Sequence, residues 1–236
     1  MKGQVLSISF SILFVPHLIE KNDFVAAPVK SKTEHFSTSR VDGLYSELGL
    51  SALGLSQKAF ECAYKGYQYL AKKQRLSNTS VLSICDLSQS SNKKRLYIID
   101  LANNRILLTS FVAHGKGSGA EFARRFSNSS RSHQSSLGFF ITGSTYYGEH
   151  GLSLRLQGIE PGFNDHAVRR NIVVHGAEYI GNEYLKDNKF MGRSYGCPAV
   201  PQDESAEIID LMKDGSCFFI YHPTRIYIQR SSILNG

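Results

Sequence analysis

From Ser80 onward the chain is a succession of short β-like runs, and this pattern most constrains what it can fold into. The runs fall at residues 81–85, 95–101, 105–112, 138–142, 152–156, 172–175, 217–221 and 225–229, with Asn103-Asn104 marking a turn between two of them. Many short strands at modest spacing predict an all-β sandwich or a barrel-like sheet and disfavour alternating βα units. Two helices are expected beside them. Residues 56–73 place Phe60, Ala63, Tyr64, Tyr67 and Leu70 on one side, with Ser56 as N-cap, and this aromatic stripe reads as a packing face. Residues 203–213 repeat the pattern with Ala206, Ile208, Ile209 and Met212, acids early, Lys213 late and Gly215 as the stop.

With 42% hydrophobic and 20% charged residues, the chain has the composition of a globular protein. Its formal charge of +7 favours a polyanionic neighbour. Nucleic acid is disfavoured, because no basic run is interleaved with aromatics and no RNA-binding or zinc-ligand spacing occurs. The basic side chains sit in short scattered groups such as Lys72-Lys73 and Arg169-Arg170, which reads as a solvated surface, with attraction to an anionic cell envelope as the sharper alternative.

The N-terminus has the form of a leader. Met1-Lys2 precedes an apolar stretch at 5–15, too short for a stable transmembrane span, and Val25-Ala26-Ala27 offers small residues for cleavage. The expected organisation is a signal peptide at 1–27, a tether and N-terminal helical region at 28–78, the tether reaching about residue 41, and a β domain at 79–230. Export to the periplasm or cell envelope follows from the leader.

The cysteines are Cys62, Cys85, Cys197 and Cys217, and no pair has C-x-x-C spacing. Cys62, Cys85 and Cys217 sit in apolar surroundings and read as buried small hydrophobes. Cys197 differs. It lies in Gly192-Arg193-Ser194-Tyr195-Gly196-Cys197-Pro198, downstream of the strand-like Ile172-Val173-Val174-His175-Gly176. A thiol in a small-residue turn and a histidine ending a strand are the minimum for covalent cysteine catalysis, since the thiolate is the nucleophile and an imidazole is its usual activator. Gly196 allows backbone N–H groups to approach a bound carbonyl oxygen, and Pro198 stiffens the turn. A catalytic His175 also needs its second ring nitrogen held. No carboxylate is an obvious orienter, which leaves Asp165 and Asn164 as secondary candidates. The competing reading is a structural thiol and a core histidine.

His-Gly, a variable loop and then Ser-x-Gly-Cys resembles the L,D-transpeptidase catalytic domain, also called the YkuD domain. Gly-Arg-Ser-x-Gly-Cys-Pro-Ala-Val is similar to its murein L,D-transpeptidase branch. The resemblance runs from about 81 to about 221 and includes Ala113-His114-Gly115-Lys116-Gly117-Ser118-Gly119, Ser135-Ser136-Leu137-Gly138 and Arg170 through Gly176. It implies a mainly β fold, sandwich or barrel-like, with a short helix after the cysteine and an N-terminal helical extension. It also implies a cysteine-dependent L,D-transpeptidase that acts on peptidoglycan stem peptides through a thioester acyl-enzyme. Cys197 is then the nucleophile and His175 the base. The backbone oxygen of Gly176 would orient the ring, and N–H groups from Tyr195 to Cys197, Gly196 included, would form the oxyanion hole.

The chain departs from most members at Tyr195, where they carry histidine, and at Pro198-Ala199, where they carry an asparagine or branched residue and then arginine. Tyrosine is no base near neutral pH. Arg193 is therefore expected to supply the displaced positive charge, and it reads either as a bidentate partner for a substrate carboxylate or as a structural arginine that ties down the loop. Ser194, Tyr195 and His114 complete the substrate-binding candidates. His114 opens a glycine-rich segment that lacks phosphate-loop spacing and reads either as a polar cradle or as a plain turn. The serine-rich stretch 127–136 reads as a plain flexible loop or, because the resemblance places it beside the cleft, as a binding loop. His133, His150, His166 and His222 show no metal-ligand spacing, so neither a catalytic metal nor a cofactor is expected. Two alternatives remain: a hydrolytic L,D-carboxypeptidase or cysteine peptidase, and a non-catalytic wall-binding module with a structural thiol.

Overall fold

The computed structural model describes residues 38–236; the expected leader and the tether up to residue 37 lie outside the described residues. Among the described residues, eight strands form one sheet. They are β1 (Val81–Asp86), β2 (Leu96–Asp100), β3 (Arg105–Ser110), β4 (Gly138–Gly148), β5 (Gly151–Gly158), β6 (Val173–Ala177), β7 (Ala199–Pro201) and β8 (Cys217–Tyr221). Their order is β3-β2-β1-β8-β4-β5-β6-β7. All neighbours are antiparallel except β1 with β8 and β6 with β7.

The two ends of this sheet nearly meet. Beyond β3 the chain turns toward β7, where Ala113 N–H donates to Ala199 O at 2.7 Å and Gly115 forms a parallel bridge with Ser194. The result is a nearly closed barrel-like sheet, so of the two β architectures expected the barrel-like one is realised. Closure satisfies strand edges that would otherwise stay open.

Helices α1 (Thr38–Glu47) and α2 (Gln57–Lys72) precede the sheet. Ser56 caps α2, accepting from Ala59 N–H at 3.2 Å, and Ala59, Phe60, Ala63, Tyr64 and Leu70 form its buried face. Gly66 lies directly on Phe139 of β4, where a methyl group would overlap the ring. Helix α3 (Asn182–Asp187) buries none of its residues, and its lack of an apolar stripe left no periodicity to read. Helix α4 (Ser205–Met212) follows the Cys197 turn and buries Ile208, Ile209 and Met212. No helix among the described residues is long and apolar enough to cross a membrane.

The expected strand at 225–229 is instead helix α5 (Arg225–Arg230), followed by α6 (Ser232–Asn235). Strand β8 already pairs on both sides with β1 and β4, so no edge remains beside it. The segment is held by tertiary contacts instead. Buried Glu160 accepts from Tyr227 Oη at 2.9 Å, from Phe139 N–H at 2.8 Å and from Ser231 Oγ. Strand β4 also runs past the expected 142, through a bulge between Thr142 and Thr145, into a polar hairpin with β5. That hairpin carries no apolar run, and Tyr147 on it is 84% exposed.

Candidate active site

Parallel pairing of β6 with β7 sets His175 opposite Ala199, two residues beyond Cys197. Strand and turn thus bring the two sequence candidates to neighbouring positions. The thiol is half-buried and donates to Asn171 O at 3.6 Å. Asn171 has φ +53°, a left-handed conformation that asparagine tolerates better than most residues, in the turn leading into β6. No hydrogen bond joins the thiol to His175. Burial pushes the Cys197 thiol above its ordinary pKa, while the Val173 N–H and the nearby Arg170 guanidinium pull it back.

His175 is buried, with Nδ1 2.8 Å from the carbonyl oxygen of Gly176. A carbonyl only accepts, so the proton of the neutral ring is on Nδ1 and Nε2 carries the lone pair. Burial lowers the pKa of this imidazole; the Gly176 bond opposes that shift and His150 reinforces it. His150, on the β4–β5 hairpin, stacks on His175 with centroids 4.3 Å apart. Asp165 and Asn164 are elsewhere: Asp165 accepts from Asn128 and Gly162, and Asn164 ties Glu160 to the start of β4.

Ser194 does not face a substrate. It is 4% exposed, and its hydroxyl accepts from Gly196 N–H at 3.0 Å and donates to Cys197 O at 2.6 Å, which knits the turn. The same bond corrects the oxyanion assignment at Gly196, whose own N–H is engaged. Gly196 is needed for its conformation, φ +129°, with a would-be Cβ only 2.9 Å from Gln134 O and 3.1 Å from Arg170 Nη2. Among the described residues, the N–H groups of Tyr195 and Cys197 take no partner and remain available to a ligand oxygen.

His114 is another correction. It is fully buried, accepts from Arg95 Nη2 at 2.9 Å through Nδ1, and has its pKa lowered to about 3 by burial and the adjacent guanidinium. It is a neutral core imidazole that cannot touch substrate. Its backbone does bear on the site, because His114 O accepts from Ser194 N–H at 3.1 Å. Arg95, also fully buried, donates to Val112 O and Gln89 O and so braces the segment that holds the cysteine turn.

Arg193 donates to Gly119 O at 3.1 Å, lies over Phe190, and lines a cavity of about 510 Å³ with Lys116 and Lys189. The guanidinium that acts on the thiol is that of Arg170. It donates to Ser127 O, Ser136 Oγ and Gln134 O at 2.8, 2.6 and 2.6 Å, binding the serine-rich loop against Gly196. Sequence reasoning quoted Arg170 within a motif block without giving it a role; its position five residues before His175 was the available signal. Tyr195 is exposed, with Lys116 Nζ 4.1 Å above its ring and His133 against its edge. Tyr179, also unforeseen, has its phenol pKa raised to about 12 by burial and proximity to Cys197. Cys62, Cys85 and Cys217 are buried and free.

A family model of the L,D-transpeptidase catalytic domain matches residues 51–221. No curated protein sequence matches the chain. Among solved structures, an L,D-transpeptidase from Mycobacterium smegmatis aligns at 12% identity over 61% of this chain and 59% of its own, with a TM-score of 0.37. The chain thus spans about three fifths of that protein's length. An L,D-transpeptidase from Xylanimonas cellulosilytica (residues 123–326) aligns at 17% identity over 77% of this chain and 93% of its own, TM-score 0.35. One from Stackebrandtia nassauensis aligns at 11% identity over 77% and 76%, TM-score 0.37.

Proposed function

The chain belongs to the L,D-transpeptidase catalytic domain family, and on that premise we propose that it is a cysteine-dependent transpeptidase acting on peptidoglycan stem peptides through a thioester acyl-enzyme. The observation that carries this reading is the 2.8 Å contact between His175 Nδ1 and Gly176 O, which leaves Nε2 unprotonated on a strand paired with the residues that directly follow the cysteine turn. The direction of both pKa shifts favours a neutral pair at rest, a protonated Cys197 beside a neutral His175. The proton therefore moves during attack, as in general-base catalysis, and no preformed ion pair is required.

In the first half-reaction the S–H leaves Asn171 O for His175 Nε2, and sulfur attacks the carbonyl preceding the terminal D-residue. The oxyanion meets the N–H groups of Cys197 and Tyr195, donors typically worth about 3–4 kcal/mol each. Collapse breaks the C–N bond, His175 returns the proton to the leaving amine, and a C–S thioester remains. In the second half-reaction an acceptor amine attacks, gives its proton to His175, and releases the thiolate, which is reprotonated. Such a substrate places the enzyme in the cell envelope, in keeping with the leader-like N-terminus.

The test is mass spectrometry of the chain incubated with disaccharide-tetrapeptide and D-methionine. The exchanged muropeptide should form with the parent chain and be absent with Cys197→Ala. Loss of the terminal residue without exchange would make the enzyme a carboxypeptidase, and equal product from Cys197→Ala would remove the thiol from the mechanism.

A further inference from the structure

Residues that alternate outward on β5 and β6 share the face that carries His175. Ser153 is opposite His175 and Arg155 opposite Val173, while Leu154 and Val174 between them point into the core. Tyr146 of β4 is opposite Ser153 and continues the row. Arg155 is exposed, and its guanidinium lies 4.3 Å from the centre of the Tyr146 ring. Among the described residues no carboxylate is within ion-pair distance of it.

Arg155 and Tyr146 line a cavity of about 320 Å³ together with Val168, Asn171, Ile172 and Val173. The lining holds one cation and no acid. Gly143, at the β4 bulge, keeps the space beside Arg155 open, since a Cβ there would stand 3.3 Å from that of Arg155. Two of the lining residues also hold the thiol through their backbone: Asn171 O accepts from Cys197 Sγ, and the Val173 N–H faces the same sulfur. Arg155 is thus one strand spacing, about 4.8 Å, from the backbone that cradles the nucleophile. The Tyr146 ring supports the guanidinium, which lines the cavity without a carboxylate partner among the described residues.

We propose that this cavity is a carboxylate-binding subsite for the acyl-donor peptide, with Arg155 as the recognising cation, Tyr146 as its shelf, and Val168, Ile172 and Val173 as apolar walls for the neighbouring peptide stem. The proposal rests on the reading that Cys197 attacks a peptide carbonyl, because that reaction fixes where the donor must lie. An extended peptide seated on Cys197 then has a residue within reach of Arg155.

The experiment is a binding cycle by titration calorimetry on the full chain carrying Cys197→Ala, with and without Arg155→Gln. The ligands are the stem tetrapeptide and variants in which one carboxylate at a time is amidated. Arg155→Gln should weaken the parent peptide about tenfold or more, the loss expected for a charge-assisted contact. One amidated variant should lose the same factor on the Arg155 protein and nothing further on the Arg155→Gln protein, while Arg155→Lys should recover part of the affinity. Unchanged affinity in Arg155→Gln, or amidation losses that simply add to it, would overturn the subsite. Acylation of the same peptide by the chain with an intact Cys197 separates the two readings. Acylation unaffected by Arg155→Gln rejects the subsite and keeps the thiol chemistry; a positive binding cycle without acylation keeps the subsite and rejects the chemistry.

Discussion

The imidazole of His150 lies almost parallel to that of His175, with ring centroids 4.3 Å and planes 20° apart. One ring comes from an exposed hairpin tip and the other from a buried strand. The hairpin therefore covers one face of the proposed base, excludes water from it and adds a charge of the same sign whenever His150 is protonated.

Removing His150 acts on His175 in one direction. In His150→Ala the ring is better solvated and loses a like-charged neighbour, and both changes favour its protonated form. The acid limb of the kcat/KM profile is expected to move to higher pH. His150→Phe, which keeps the cover without the charge, should move it less. A profile that stays in place in both variants would mean that the stack has no influence on the base.

Arg170 is expected to set the reactivity of Cys197. Its charge opposes the burial that raises the thiol pKa, so Arg170→Gln should move the iodoacetamide rate profile to higher pH, with Arg170→Lys in between. Only Cys197 should be alkylated in the folded chain, since Cys62, Cys85 and Cys217 are buried. Because the resting thiol lies above its usual value, alkylation of the parent chain should itself be slow below neutral pH.

Acid should destabilise the fold through His114. In the folded chain this ring takes a proton only near pH 3, whereas in the unfolded chain it does so near 6.5. Between those values the unfolded state binds more protons, so the contribution is fully present above about pH 6.5 and is lost as pH falls toward about 3. The ceiling on this effect is about 4–5 kcal/mol. Urea midpoints measured from pH 7 to 4 should fall progressively, and one imidazole resonance should fail to titrate over that range.

Gly66→Ala should destabilise the fold by about 3 kcal/mol or more, because the new methyl group overlaps the Phe139 ring in a packed core. Thermal unfolding provides the check, and a melting temperature unchanged within a degree would mean that the helix can shift on the sheet at no cost.

Much of the site could be read from the sequence, for reasons that differ by residue. Cys197 and His175 stood out because a thiol between glycine and proline and a histidine ending an apolar strand are local patterns. Ser194 and Gly196 were in the right turn, but their hydrogen bonds were not visible: whether an N–H faces a ligand or a hydroxyl two residues back depends on torsions that adjacent letters do not encode. His114 was misplaced because a histidine among glycines looks exposed, and only the return of that segment onto β7 buries it against Arg95. His150 carried no local signal at all, since its partner is 25 residues away and a bulge in β4 decides where the hairpin projects.

By itself the sequence determined the strand-rich character, the packing face of α2, the helix after the cysteine turn and the choice of Cys197 and His175 as candidate reacting side chains, because each follows from periodicity or from chemistry within a few residues. Tertiary structure alone decided that the strands make one nearly closed sheet, that residues 225–229 coil into a helix because β8 has no free edge, that Arg170 and the Asn171 carbonyl lie beside the thiol, and that a second imidazole stacks on His175. Those outcomes depend on contacts between distant segments, and strand order and closure select them.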